Sequence, residues 1–120
     1  MYKHIAEAFV AVAHAQRVTE NICARVQDFC QSTVSVDPDR LLDFGDGRVI
    51  IRPVDEGLLV HVSAEHLVIF YGIRALLEGS LIKYLPRAEG AIEWLPADRA
   101  PFRAINRHVA DDGAGKAKCP

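Results

Sequence analysis

The chain has 120 residues, of which 50% are hydrophobic and 25% are charged. This length suffices for one domain that buries about two-thirds of its unfolded surface, and the composition excludes a disordered or collagen-like protein. The formal charge of −2 provides no basic excess for nucleic acid. No apolar run approaches the roughly 18 residues of a membrane span. We therefore expect one globular domain that binds neither nucleic acid nor a membrane.

The amino-terminal residues weakly resemble a secretory signal peptide, because Lys3 precedes an apolar run over residues 9–12. Glu7 interrupts the apolar part, and the stretch is very short for such a segment. On a predicted helix, Cys23 and Cys30 lie about 10.5 Å apart, beyond the roughly 7 Å Cα limit for a disulfide. We expect free thiols in a cytoplasmic protein.

The first two predicted elements are a strand and an amphipathic helix. Residues 8–13 alternate in the manner of a strand, and from about Gln16 the apolar spacing becomes helical. The helical stripe has spacings of four, four and three and consists of Val18, Ile22, Val26 and Phe29. This spacing predicts a helix with one buried face.

The apolar period then becomes two, which predicts consecutive strands. They span residues 33–36, 40–44, 48–53 and 58–62, with turn residues between them. The apolar pattern predicts a register that pairs Phe44 with Val49, Leu42 with Ile51, Ile51 with Val60, and Val49 with Val62. The other face then carries Leu41, Arg52 and Leu59 in one row and Asp43, Ile50 and His61 in the next.

Ser63 is a suitable N-cap for a second helix over residues 64–85, which Pro86 ends. A last short strand over residues 91–95 carries Trp94. The predicted fold class is therefore α+β. It is a two-layer domain in which an antiparallel sheet meander has two helices on one face, in the order β-α-β-β-β-β-α-β.

We expect the single domain to span residues 1–97 and a C-terminal extension to span residues 98–120. Three arginines recur every fourth residue in the extension, namely Arg99, Arg103 and Arg107. They predict a short helix with too small an electrostatic footprint for nucleic acid. From Asp111 onward the composition predicts a disordered tail.

The sequence offers no strong catalytic or metal-binding motif. Its histidines and cysteines lack His-x-x-x-His and Cys-x-x-Cys spacings, and there is no Gly-x-Ser-x-Gly motif. Asp43 and His61 share a predicted row, but the intervening strand separates them by about 9.6 Å, too far for a hydrogen bond. We predict no catalytic residue, no metal and no cofactor.

The landmarks of a known family are Arg17, Ile22 and Cys23 in the first helix, and Tyr84, Arg87, Ile92 and Trp94 near the end of the domain. With the order of elements, they make residues 8–95 resemble domain-of-unknown-function family 2218. Members of this bacterial family occur alone or fused to siderophore-interacting reductases. The resemblance implies a setting in iron utilisation and a protein partner there. It assigns no reaction.

The chain departs from that family at positions where the family usually carries histidine. Arg25, Asp28 and Ser80 occupy those positions here. If the family's chemistry depends on the imidazoles, this chain has lost it.

Two classes of function follow. The first is a non-enzymatic accessory or binding module linked to iron–siderophore utilisation. The alternative is a small enzyme or ligand-binding protein with a pocket around Arg52, His61 and His66, since the two histidines approach each other where the last long strand meets the second helix.

The second helix carries two apolar stripes, and a two-layer fold has one sheet to cover them. The second stripe consists of Val68, Tyr71, Ala75 and Ile82. Either the first helix or a second subunit covers it. The sharper expectation is a homodimer, since two-fold symmetry is the commonest arrangement.

Overall fold

A computed structural model describes residues 3–84 and 92–102. The elements are β1 (His4–Ala11), α1 (Ala15–Val26), β2 (Ser32–Val36), β3 (Asp39–Asp43), β4 (Gly47–Val54), β5 (Gly57–Ala64), α2 (Leu67–Leu81) and β6 (Leu95–Pro96). Short 3₁₀ turns follow the two helices at Gln27–Phe29 and Ile82–Tyr84. The predicted α+β class and the order β-α-β-β-β-β-α-β are confirmed.

The described strands form one six-stranded antiparallel sheet in the order β2-β3-β4-β5-β1-β6. The meander from β2 to β5 is continuous, and β1 then lies between β5 and β6. Because β1 pairs with β5 from His4↔Ala64 to Ala11↔Gly57, it begins and ends earlier than the predicted strand over residues 8–13.

The predicted register is right between β4 and β5 and wrong between β3 and β4. Val49 pairs with Val62 as expected, but Leu42 pairs with Val49 and not with Ile51. The turn between β3 and β4 is shorter than predicted, because the Phe44 N–H donates to the carbonyl of Gly47 at 2.8 Å. Each β3 residue therefore pairs with a β4 residue two positions earlier in the chain than predicted.

The inner face of the sheet and the two helices enclose the main core. Helix α1 buries the predicted stripe from Val18 to Val26, whereas Phe29 is exposed because the helix ends at Val26 and a 3₁₀ turn follows. Helix α2 buries one face against the sheet. Its buried residues are Phe70, Ile73, Leu77, Ser80 and Leu81.

One glycine is required by close packing between strands. A Cβ atom built on Gly57 would lie 2.1 Å from the carbonyl oxygen of Val10. This position opens β5, where the strand meets the last residues of β1. Only a residue without a side chain lets the two backbones come this close.

The ends of α2 differ from the prediction. Ser63 is not an N-cap, because it pairs with Ile5 in the sheet and β5 continues to Ala64. The helix begins at Leu67, after His66 in extended conformation. Pro86 lies outside the described residues.

The last strand, Leu95–Pro96, also differs from the predicted one over residues 91–95. Trp94 precedes it, and the indole Nε1 donates a hydrogen bond to Glu78 Oε2 at 2.7 Å. The chain then continues across the outer face, where Phe102 is fully buried. The packed structure therefore extends beyond the predicted boundary at residue 97. Arg103, Arg107 and the predicted tail from Asp111 lie outside the described residues.

Candidate functional site on the outer face

Glu7 and His61 form a buried pair on the outer face of the sheet. They are directly opposite in the pairing of β1 with β5, so the pleat directs both side chains to the same face. His61 Nδ1 lies 2.6 Å from Glu7 Oε2, with 4% of the His61 side chain and none of the Glu7 side chain exposed. We assign the proton to Nδ1, since an ionised carboxylate only accepts hydrogen bonds.

Phe102 covers this pair and contacts both members. Its backbone N–H donates to the same Oε2 atom of Glu7. Its ring meets the imidazole of His61 edge-on, with the centroids 6.1 Å apart and an interplanar angle of 76°. The backbone of Phe102 has a φ of 64°, in the left-handed region that bulky residues rarely occupy.

Arg52 contacts the ring of Phe102 as well. The guanidinium carbon lies 4.7 Å from the ring centroid, within the range of a cation–π interaction. Asp39 fixes the guanidinium through two hydrogen bonds, Nε to Oδ1 at 2.7 Å and Nη2 to Oδ2 at 2.9 Å. The hydrogen bond to Asp39 raises the pKa of Arg52, so the group remains a cation.

Apolar side chains complete the surroundings of Phe102. Ile50 and Leu59 are buried beside it, and Leu41, Val54 and Leu95 pack around them. This small cluster lies on the face opposite the helices and is separate from the main core. We call Glu7, His61, Arg52, Ile50 and Leu59, together with the volume that Phe102 fills, the Phe102 site.

The structure brings together two of the three predicted pocket residues. Arg52 and His61 both contact the ring of Phe102. His66 is exposed at the start of α2, which packs on the inner face. His66 therefore contributes nothing to the Phe102 site.

Sequence reasoning missed Glu7 and Phe102. A carboxylate inside an otherwise apolar strand was the available signal for Glu7, but its partner depends on β1 lying beside β5. Phe102 has helical spacing with later apolar residues, so the pattern indicated a short helix in the extension and not a residue buried on the sheet. The predicted row of Asp43 and His61 does not form, since Asp43 lies opposite Arg48.

The predicted interface residues are exposed on α2. Val68 is 82% exposed, Tyr71 is 56% exposed and Ile82 is 62% exposed. Ala75 is exposed on the same helix. Helix α1 does not cover this stripe, so the first of the two predicted alternatives, burial against the first helix, is wrong.

An open cleft of about 510 Å³ lies where α1 begins, between the β2–β3 and β4–β5 turns. Its charged lining has both signs and includes Arg17, Asp37, Arg40 and Asp55, with His14 at the helix start. The Arg40 guanidinium is paired with Glu20 and donates to Ser35. This mixed lining selects no particular ligand charge.

Cys23 and Cys30 are free thiols on and just after α1. Burial raises the pKa of both thiols, and for Cys23 the Arg40 guanidinium opposes the effect. Cys30 Sγ also lies 3.4 Å from the carbonyl oxygen of Val26. Both side chains therefore behave as neutral packing groups at neutral pH.

Over residues 3–84 and 92–102, no group of three or more His, Cys, Asp or Glu side chains is arranged to hold a metal ion. In the same part of the chain, no helix is both long and apolar enough to cross a membrane.

The fold is similar to that of PA4090 from Pseudomonas aeruginosa, which was solved by NMR. The two share 15% sequence identity with a TM-score of 0.65, over 80% of this chain and 99% of that one. At this identity the likeness concerns the fold alone. No family model and no curated protein matches the chain, so the resemblance to family 2218 stays a prediction.

Proposed function

We propose that the protein is a non-enzymatic binding module whose ligand takes the place of Phe102. The observation behind this proposal is the set of contacts around that side chain. A cation over the ring, an imidazole in T-shaped contact with it and a carboxylate on its N–H are contacts also found in ligand recognition. The core residue Phe70 also has a guanidinium over its ring and an imidazole beside it, so the features that set Phe102 apart are the Glu7 carboxylate on its N–H and its left-handed backbone.

The burial of Glu7 and His61 beneath Phe102 argues against an enzymatic role for this pair. A general base must come within hydrogen-bond reach of its substrate. His61 is almost completely covered, and the Glu7 oxygen beside it already accepts from Nδ1 and from Phe102. The pair orients a bound group in this arrangement and does not meet a substrate in solution.

The attachment of Phe102 favours its release without unfolding of the domain. Strand β6 contributes only two paired residues, Leu95 and Pro96, and one further backbone hydrogen bond joins Ala97 to Ile5. The left-handed backbone of Phe102 costs about 1–3 kcal/mol. The sheet separates Phe102 from the main core, so its departure leaves the helices packed.

Native-state hydrogen exchange of the full chain tests this proposal. We expect the Phe102 amide to exchange at least about tenfold faster than the slowest amides of β4 and β5, because it opens locally. Those central-strand amides serve as the internal reference for global unfolding. If the Phe102 amide exchanges only at the global rate, the site never opens in the folded protein and the proposal is wrong.

We also propose that the protein is a homodimer through the exposed stripe of α2. The support is the exposure of Val68, Tyr71 and Ile82 along one helix. A Cβ built on Gly72 or Gly79 would meet nothing within 4 Å, so a second helix can approach this surface closely. A two-fold axis across α2 would place each stripe against its own copy. Light scattering at tens of micromolar tests the proposal, and a monomer there would end it.

The accessory role in iron–siderophore utilisation rests on the resemblance to family 2218. We propose that a ferric-siderophore reductase is the protein partner in that setting. Its gene is then expected beside the gene for this chain, and the two purified proteins are expected to co-elute. Separate elution of the two at tens of micromolar would contradict the partnership.

A further inference from the structure

We infer that the Phe102 site binds 2-arylethylamines, with the aromatic ring in the place of the Phe102 ring and the ammonium group on Glu7. The inference rests on the proposed binding function and adds the chemical class of the ligand. Its basis is the pair of contacts that Phe102 itself makes, one through the ring and one through the nitrogen.

The ring contacts select an aromatic group. The Arg52 guanidinium lies over one face at 4.7 Å from the centroid, and it is held there by Asp39. The imidazole of His61 meets the ring at 76°. Both contacts use the negative face and positive edge of a π-system, which an aliphatic side chain lacks. Ile50 and Leu59 line the remaining volume with apolar surface.

The nitrogen contact selects a donor. The backbone N–H of Phe102 donates to Glu7 Oε2, so the carboxylate faces a donor of the occupant. An ammonium group in that place makes a charge-assisted hydrogen bond, which is roughly twice as strong as the bond from a neutral amide. A carboxylate at this contact favours a cationic donor over an anionic ligand.

The spacing between the two contacts fixes the length of the ligand. In a phenylalanine residue, two carbon atoms, Cα and Cβ, connect the nitrogen to the ring. A 2-arylethylamine has the same two-carbon connection, so one molecule reaches both contacts. The free ligand also carries no peptide backbone and therefore avoids the left-handed conformation that Phe102 must adopt.

The test uses the full chain with Phe102→Gly, because glycine tolerates the φ of 64° and removes the ring, while the ligand's ammonium must still displace the backbone N–H of residue 102 from Glu7. The probes are 2-phenylethylamine and 3-phenylpropanoate, which share the ring and the two-carbon spacer but carry opposite charges. By calorimetric titration we expect the amine to bind at least about tenfold more tightly than the carboxylate. Adding Glu7→Gln to the same chain is expected to abolish that preference.

Wild-type protein supplies an independent readout that requires no variant. Titration with 2-phenylethylamine is expected to shift the proton resonance of the Phe102 amide upfield in a saturable way, as its hydrogen bond to Glu7 is lost. The same concentrations of 3-phenylpropanoate are expected to leave that resonance unchanged.

Equal binding of the two probes by the Phe102→Gly chain would overturn the inference, because it would indicate an apolar cavity only. Binding of neither probe by the folded variant would overturn it as well. If the carboxylate binds and displaces Phe102, the ligand class is wrong but the proposed binding function stands. If the Phe102 amide exchanges only when the whole domain unfolds, both the ligand class and the proposed binding function are wrong.

Discussion

Glu7 and His61 face each other across β1 and β5, with the imidazole Nδ1 2.6 Å from the carboxylate Oε2. The two residues are 54 positions apart in the chain, and the fold makes them neighbours on the face that the helices leave uncovered. Removing a carboxylate from water costs several kcal/mol unless its oxygens are satisfied. At Glu7 Oε2, the N–H groups of His61 and Phe102 donate the hydrogen bonds that replace those of water.

Breaking this pair from either side is expected to destabilise the fold. Glu7→Leu leaves a buried imidazole without its acceptor, and His61→Leu removes a donor to the buried carboxylate. We expect each single change to lower the free energy of unfolding by about 3–5 kcal/mol. In the double variant neither ionisable partner remains, so its loss should fall short of the sum by about 1–3 kcal/mol. Guanidinium denaturation followed by Trp94 fluorescence measures all three.

A matched control is Glu56→Leu in the exposed turn between β4 and β5. It removes a carboxylate that is not buried, so we expect a change within about 0.5 kcal/mol. Additive losses for Glu7 and His61 would contradict the energetic coupling of the pair.

The sequence predicts the local part of this arrangement and misses the long-range part. Alternation along β4 and β5 fixes their register, because a slip by one residue would expose Val49 and Val62. The partner of His61 comes from β1, whose place beside β5 follows from the packing of the whole sheet. Once β1 is placed, strict alternation puts Glu7 on the same face as Phe9 and opposite His61.

The remaining errors have local causes. The start of α2 is apolar at every position from Leu67 to Tyr71. Such a run has no hydrophobic period, so it does not show where the strand ends and the helix begins. Pairing with β1 keeps Ser63 in the sheet. Phe102 follows a proline and has helical spacing with later apolar residues, so the sequence indicates a separate helix in the extension and not burial on the sheet.

Gly57→Ala is expected to lower the free energy of unfolding by more than about 1 kcal/mol, because the new Cβ would lie 2.1 Å from the Val10 carbonyl oxygen. β1 or β5 must then shift at the edge of the Phe102 site. Thermal denaturation compares this variant with the unchanged chain, and an unchanged melting temperature would contradict the close approach.

The two partly buried thiols, Cys23 and Cys30, are expected to react slowly. Because burial raises the pKa of Cys23 and Cys30, fewer thiolates are present at neutral pH than in a free thiol. In a Cys119→Ser chain, labelling by iodoacetamide at pH 7.5 should be at least about tenfold slower than that of glutathione. The rate should rise as the pH increases through the alkaline range, since a raised pKa moves thiolate formation upward. Labelling as fast as glutathione at neutral pH would show that burial does not protect these groups.

The proposed dimer predicts different effects for two exposed valines. Val68 is 82% exposed on α2, and Val34 is 51% exposed on β2, the edge strand at the other end of the sheet from β6. Val68→Asp places a charge in the proposed α2 interface, so we expect a monomer by light scattering that still unfolds in one cooperative transition. Val34→Asp introduces the same charge elsewhere and is expected to remain a dimer. If Val34→Asp yields the monomer and Val68→Asp does not, the subunits join through the exposed edge of β2 and not through α2.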